Sequence, residues 1–386
     1  MQTLDPSRKL LCQLVTGVVP PSDPRLQPAT WEHLYPIAQR EGLAPLLYWQ
    51  LQKSGWPASL PETICSSLTE MYYASIAHNT LLFSELEKII PIFKAHHIPT
   101  VLLKGASLAP ALYPGRGLRP MVDVDCLLLR SDYPLALQLL KDLGYQVKAF
   151  DQVPGLHDMS DYHTGLSGGP GQRVICELHW GLVSTPLAWY AAPLEWFWEH
   201  TEPWSLAGDA LQLTPTAHLV YLSAHALLQH GGSQLILIWL YDMHLLSISG
   251  LVDWDQLVES VVNLRWGGVV AQALRQAKAA FDTALPTGIL DRLDQVADPA
   301  VDRLVAFKQR FGGVRLLYDW YSLMALRGLP RLRYALGMIF PSPAYLCWRY
   351  TPRPTLLWPF YYPYRLLRMV FGGILALKHG ILRAVR

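Results

Sequence analysis

Aspartate and glutamate stop at Asp319. Beyond it come ten basic residues (Arg327, Arg331, Arg333, Arg349, Arg353, Arg365, Arg368, Lys378, Arg383 and Arg386) and no acid. The chain as a whole carries 32 basic and 30 acidic residues, so its first 319 residues hold 22 against 30, a net −8. A nearly neutral chain excludes a general affinity for nucleic acid. A basic tail on an acidic body suits a membrane surface or another anionic partner. Paired cysteines are missing too. Cys12, Cys65, Cys126, Cys176 and Cys347 are scattered without CxxC spacing. This argues against a structural zinc site or a disulfide framework and for the reducing cytoplasm. Long apolar runs are also absent. Met369 to Leu377 is about half of what a spanning helix needs. Leu10 to Val19 is short and broken by Gln13, so no secretory signal is expected. These readings give a cytoplasmic protein whose C-terminal segment, rich in Trp and Tyr between its arginines, either packs on the body as its last layer, the reading favoured because aromatic residues this dense are a liability when exposed, or makes a peripheral contact at the inner membrane face or with an anionic partner.

Apolar residues are plentiful. They make up 51% of 386 residues, with 14 tryptophans, enough for a large core and two or three units. Residues 1–98 read as helical: Leu34, Ile37 and Ala38 recur at helical spacing, as do Leu81, Leu82, Leu86, Ile89 and Ile90. Pro20, Pro21, Pro24 and Pro28 suggest an extended entry, and Pro99 ends the region. Residues 99–214 alternate strand and helix. Strands are expected at Thr100–Leu103, Met121–Leu129, Tyr145–Phe150, 160–166 and 172–180, the last two separated by a Gly/Pro turn at Ser167–Gly171. Helices are expected at Ser107–Tyr113 and Tyr133–Leu143, the latter with Asp132 as N-cap and Gly144 past its end. Residues 215–330 turn helical again, most clearly at Thr216–Leu228 and Leu235–Ile248. Residues 331–386 form a basic, aromatic segment of short helices broken by proline. The expected class is α+β: a central mixed sheet with helices, flanked by N- and C-terminal helical regions.

The chemistry concentrates between Lys104 and Leu129, KGASLAPALYPGRGLRPMVDVDCLLL. Asp123 and Asp125 stand two apart, so on a strand they share a face about 7 Å apart at Cα. Two such carboxylates repel unless a cation lies between them. Oxygen ligands favour Mg²⁺ or Mn²⁺, with substrate phosphates completing the shell. The bland alternative is a solvated strand edge. Val122, Val124 and Leu128 would take the opposite or buried positions. Gly105-Ala106-Ser107 is a turn into a helix, where free N–H groups and a hydroxyl suit phosphate. It could equally be a plain strand-to-helix connection. Lys104 and Arg119 flank it and could neutralise phosphate charge. Glu177 and His179, in VICELHW, repeat the i, i+2 pattern and offer a third carboxylate and an imidazole.

Together, VLLKGASLAPALYPGRGLRPMVDVDCLLL, the following helix with Gly144-Tyr145, and ELHW resemble the uncharacterised bacterial nucleotidyltransferase family of the DNA polymerase β-like superfamily. HLVYLSAHALLQHG and LIWLYDMHLL resemble its helical region. The resemblance covers about residues 95–250 and extends more weakly to about 350. It implies a nucleotidyltransferase core with two-metal chemistry. Gly105 and Ser107 match the phosphate-binding turn, and Asp123 and Asp125 the metal pair; Glu177 is the candidate third acid. Three positions depart from the superfamily pattern: Ala106 separates Gly105 from Ser107, Val122 replaces a small hydroxyl residue, and the third acid is Glu.

His218 and His225 share a helical face, but their spacing is too wide for a zinc pair. His179, His225 and Asp242 are candidates for acceptor contacts or for supporting the metal ligands, and Asp242, on an apolar helix, needs a partner. The expected activity is transfer of a nucleoside monophosphate, with ATP the expected donor, to a hydroxyl or phosphate of a small-molecule, peptide or protein acceptor. The alternative is a catalytically weak binding module of the same fold.

Overall fold

Local chemistry sets each helix start. In α1 (Pro6–Val15), the Asp5 carboxylate accepts from the amides of Ser7 and Arg8 at 3.0 and 3.2 Å. Pro28 opens α2 (Pro28–Arg40), where its missing N–H costs nothing, so the last proline of the expected extended entry begins a helix instead. α3 (Ala44–Ser54) and the long α4 (Glu62–Ala95) follow. The computed structural model describes residues 4–147, 162–183, 194–231, 235–311, 323–324, 326–351, 354–368 and 371.

Seven strands form one mixed sheet in the order β3-β4-β5-β2-β1-β7-β6. They are β1 (Val101–Leu103), β2 (Val124–Leu127), β3 (Gln146–Val147), β4 (His163–Gly168), β5 (Val174–His179), β6 (Thr201–Pro203) and β7 (Leu211–Leu213). β2 runs parallel to β5, and β1 parallel to β7; the other pairs are antiparallel. Strand alternation splits the core into two layers. Val101, Leu103, Leu127 and Leu213 face α1–α3 and the helices Pro215–Ala224, Leu237–Ile248 and Gly267–Phe281. Leu102, Val124, Cys126, Cys176 and Leu178 face the second half of α4, through Leu82, Leu86, Ile89, Ile90 and Phe93. Each fully buried side chain of this kind contributes roughly 1.5–3 kcal/mol.

Several boundaries differ from the sequence reading. β2 begins at Val124, not Met121, because the preceding backbone is claimed by α4: Asn79 Nδ2 donates to Arg119 O at 2.9 Å, and Asn79 Oδ1 accepts from Met121 N at 3.2 Å. Val122 is accordingly 68% exposed rather than buried, while Val124 and Leu128 are buried as expected. Asp132 occupies the N-cap position of helix Tyr133–Asp142 but caps nothing; its Oδ1 accepts from Ser131 Oγ. Helix Pro215–Ala224 gives way to a π-helical turn, His225–His230, instead of continuing to Leu228 as an α-helix. Residues 148–150 and 160–161, within two expected strands, lie outside the described residues. The C-terminal segment contains helices Gly328–Ile339 and Pro343–Tyr350, a 3₁₀ turn Thr355–Phe360 and a helix over 361–368. Among the described residues, no helix is long and apolar enough to cross a membrane.

Candidate active site

The register between β2 and β5 builds the site. Asp125 is the partner of Glu177 and Leu127 the partner of His179, so parallel pairing puts both acids side by side on one sheet face. β4 adds His163, directly opposite His179, with their rings stacked 5.0 Å apart. One oxygen or nitrogen each from Asp125, Glu177 and His179 lies within 4.8 Å of the other two, close enough to share a cation. His179 Nε2 is 2.9 Å from Asp125 Oδ1 and 3.3 Å from Glu177 Oε2. His163 Nε2 is 3.7 Å from Glu177 Oε2.

Lys104 reaches the same carboxylate. Its ammonium donates to Asp125 Oδ1 at 2.7 Å. Lys104 opens α5 (Lys104–Leu112) with a left-handed φ of 45°, a strained conformation for a side-chain-bearing residue. The helix therefore starts three residues before the expected Ser107, and Gly-Ala-Ser lies within its first turn rather than in a loop.

Charge shapes the proton affinities. Burial, and then the Asp125 carboxylate, push Asp123 up to about 6. Burial would also raise Asp125, but Lys104 and His179 hold it well below the usual carboxylate range. Burial opposes the charges of Lys104 and His179, yet the carboxylates around them keep both above their ordinary values. Glu177 is lowered: burial works against its charge most strongly, but the hydrogen bond with His179 and the charges of His163 and His179 together outweigh it.

The donor set fits a divalent cation. It offers carboxylate oxygens from Asp125 and Glu177, with Asp123 adjacent and an imidazole nitrogen beside them. Of the two Asp125 oxygens, Oδ1 takes the hydrogen bonds from Lys104 and His179 among the described residues. Hard oxygen donors suit Mg²⁺ or Mn²⁺.

Other expected site residues sit one layer away. Arg119 is buried and spent on Asp242: Nη2 to Oδ2 is 2.7 Å and Nε to Oδ1 is 2.9 Å. Tyr113 donates to the same Oδ1 at 2.6 Å. Gly105 lies against this network, since a Cβ there would run into Arg119 Nη1 and the Met121 side chain. Ser107 is buried, with Oγ 3.4 Å from Gln212 Oε1, and so turns toward β7 rather than the carboxylates. His225 is buried on the π-helical turn with Nδ1 unpartnered, packed on Trp239 at 5.1 Å and His230 at 4.6 Å. Burial drives it well below the usual histidine range, with the Lys104 charge assisting.

Sequence reasoning missed His163, Asn79, Tyr113 and Gln212 as parts of this assembly. His163 gave only part of a signal: a hairpin centred on the Ser167–Gly171 turn would set it opposite Ile175, whereas β4 runs on to Gly168 and the observed register sets it opposite His179. Asn79 gave no signal within an ordinary helical run.

A family model described as an uncharacterised nucleotidyltransferase matches residues 27–282. No curated protein matches the chain. The match takes in 256 of the 386 residues, with every strand of the sheet and the carboxylate cluster. The chain belongs to this uncharacterised nucleotidyltransferase family.

Proposed function

We infer that the protein transfers a nucleoside monophosphate, AMP from ATP, to a hydroxyl or phosphate of an acceptor and releases pyrophosphate. The observation that carries this reading is the in-register placement of Asp125 and Glu177 on adjacent parallel strands, with Lys104 and His179 against them. Asp123, Asp125 and Glu177 would hold Mg²⁺ or Mn²⁺. A divalent cation there would offset charge on the attacking and leaving oxygens.

The protein's own groups do the rest. The first turn of α5, at Lys104 and Gly105, presents backbone N–H groups to the triphosphate. Lys104 adds a positive charge beside it. The acceptor oxygen attacks the α-phosphorus, the bond to the bridging oxygen of the β-phosphate breaks, and pyrophosphate leaves. The acceptor's proton passes to Glu177, because Asp125 Oδ1 already accepts from Lys104 and His179. Arg119 acts as a positioning residue in this scheme. Its Nε and Nη2 are committed to Asp242, and its side chain sets the space beside Gly105. His225 and Asp242 stand on the helices over this sheet face, on the acceptor side. In this scheme residues 99–214 form the transferase core and residues 215–330 the acceptor side, and the reaction takes place in the cytoplasm.

The test is calorimetric binding of ATP with Mn²⁺, followed by pyrophosphate release with candidate acceptors. Asp125→Asn should weaken Mn²⁺-dependent ATP binding by at least about tenfold, since it removes a charged ligand shared with Lys104. Equal Mn²⁺-dependent binding by wild type and variant would falsify the metal role. Tight binding with no pyrophosphate release across the acceptors would instead favour the reading as a binding module, to which Ala106 and Val122 already point.

A further inference from the structure

The C-terminal helices wear their apolar face outward. In helix Gly328–Ile339, Leu329, Leu332, Leu336 and Ile339 are exposed, and Phe340 continues the stripe. At 3.6 residues per turn these five positions fall within an arc of about 100°, the width of a face that normally packs on a core. Arg331 and Arg333 flank the stripe on its two sides. The opposite side already has its partners. Tyr334, Tyr345, Leu346 and Arg365 are buried. Arg365 stacks over Tyr345 at 5.4 Å and donates to Met338 O at 3.3 Å, while Tyr362 donates to Pro341 O at 2.7 Å. The segment thus has an interior and still exposes a second apolar surface. Leu356 at 84%, Phe360 at 70% and Leu367 at 58% extend it.

The charge around this surface has one sign. Residues 320–386 hold ten lysines and arginines and no acid. Leucine and aromatic side chains ringed by arginine, with no carboxylate nearby in sequence, complement a surface that is apolar beneath and negative on top. An anionic lipid bilayer has that layering. A protein partner of ordinary mixed charge would not call for the complete loss of acids.

We propose that residues 328–351 and 354–368 dock the protein onto an anionic membrane surface, with the face containing Leu332 and Leu336 entering the interface and Arg331 and Arg333 lying at the phosphate level. None of the described residues of this segment belongs to the carboxylate cluster, so membrane docking is separable from the transferase chemistry.

The test uses the full chain and vesicles of phosphatidylcholine, with and without phosphatidylglycerol, in a co-sedimentation assay. The expected result is binding to the mixed vesicles, at least about tenfold weaker binding to pure phosphatidylcholine, and release by added salt. Leu332→Ser with Leu336→Ser alters only exposed side chains and should weaken vesicle binding about tenfold or more while leaving the circular dichroism melt unchanged. Arg331→Gln with Arg333→Gln should lower affinity for the mixed vesicles only. Failure to sediment with the mixed vesicles overturns the proposal, as does equal binding to both lipids. So does sedimentation velocity showing a self-association that the leucine substitutions abolish, since the stripe would then be an interface between copies.

Discussion

Asp123 and Asp125 are neighbours on one face, and their surroundings push their proton affinities in opposite directions. Asp125 has two cationic donors on one oxygen; Asp123 has burial and the Asp125 charge against it. The folded protein therefore holds a proton on Asp123 more tightly than the unfolded chain does. Its ionisation costs stability above about pH 6, and that cost fades as pH falls toward the unfolded carboxylate value. A rise of this size corresponds to at most about 3 kcal/mol, less what its coupled neighbours absorb. Asp125 runs the other way: its contribution is present above the unfolded value and is lost only in stronger acid. Asp123→Asn should accordingly raise Tm near neutral pH in a chelator and lose most of that advantage by about pH 4. Mn²⁺ should reverse the order, stabilising wild type more than the variant. Thermal melts at the two pH values, with and without Mn²⁺, check both halves. An unchanged order after Mn²⁺ addition would remove Asp123 from the ligand set.

At the scale of elements, the carboxylate cluster depends on a network one layer behind it. Arg119 leaves the loop before β2, crosses to helix Leu237–Ile248, and meets Asp242, which Tyr113 from the end of α5 also approaches. Asp242 is fully buried, so the pair is desolvated on both sides. Removing one partner leaves an uncompensated charge, at a typical cost of about 3–5 kcal/mol. Asp242→Ala should lower the urea midpoint accordingly, and Asp242→Asn, which keeps the shape and an acceptor oxygen, should lower it less. Equal, small effects of the two would mean that the pair is not needed to hold the loop. The sequence showed that Asp242 needs a partner but not which one, because Arg119 lies 123 residues away. The i, i+2 acids and the ELHW strand were legible, since period-2 patterning is local. The pairing of Asp125 with Glu177 was not, because parallel register over 52 residues is fixed by packing rather than by any turn. The start of α5 at Lys104 was also hidden, since its positive φ is held by the distant Asp125. The π-helical turn at His225 departs from a pattern that reads as ordinary α-helix.

For the molecule as a whole, the first helices and the later helical region share one core. Leu11, Trp31, Leu34 and Leu47 belong to the same buried cluster as Val220, Leu240 and Leu274. Polar contacts reinforce the join. Arg8 Nη2 donates to Glu41 Oε2 at 3.0 Å, and that oxygen accepts from Leu237 N at 3.1 Å. Lys9 donates to Ala279 O at 2.9 Å and to Asp282 at 2.8 Å. The periodicity of Leu34, Ile37 and Ala38 announced a buried face, but not that its partner lies some 200 residues on. Removing α1–α3 strips one wall from the layer that carries the carboxylates and leaves the apolar side chains of the later helices open to water. A chain beginning at Glu62 should therefore lose its cooperative thermal transition. A chain ending at Phe311 keeps both core layers and every site residue, so it should melt cooperatively and retain Mn²⁺-dependent ATP binding while losing vesicle binding. Circular dichroism melts of the two truncations, with calorimetry and co-sedimentation on the second, separate these outcomes. If the second truncation bound anionic vesicles as well as the full chain does, the membrane surface would have to lie within the first 311 residues.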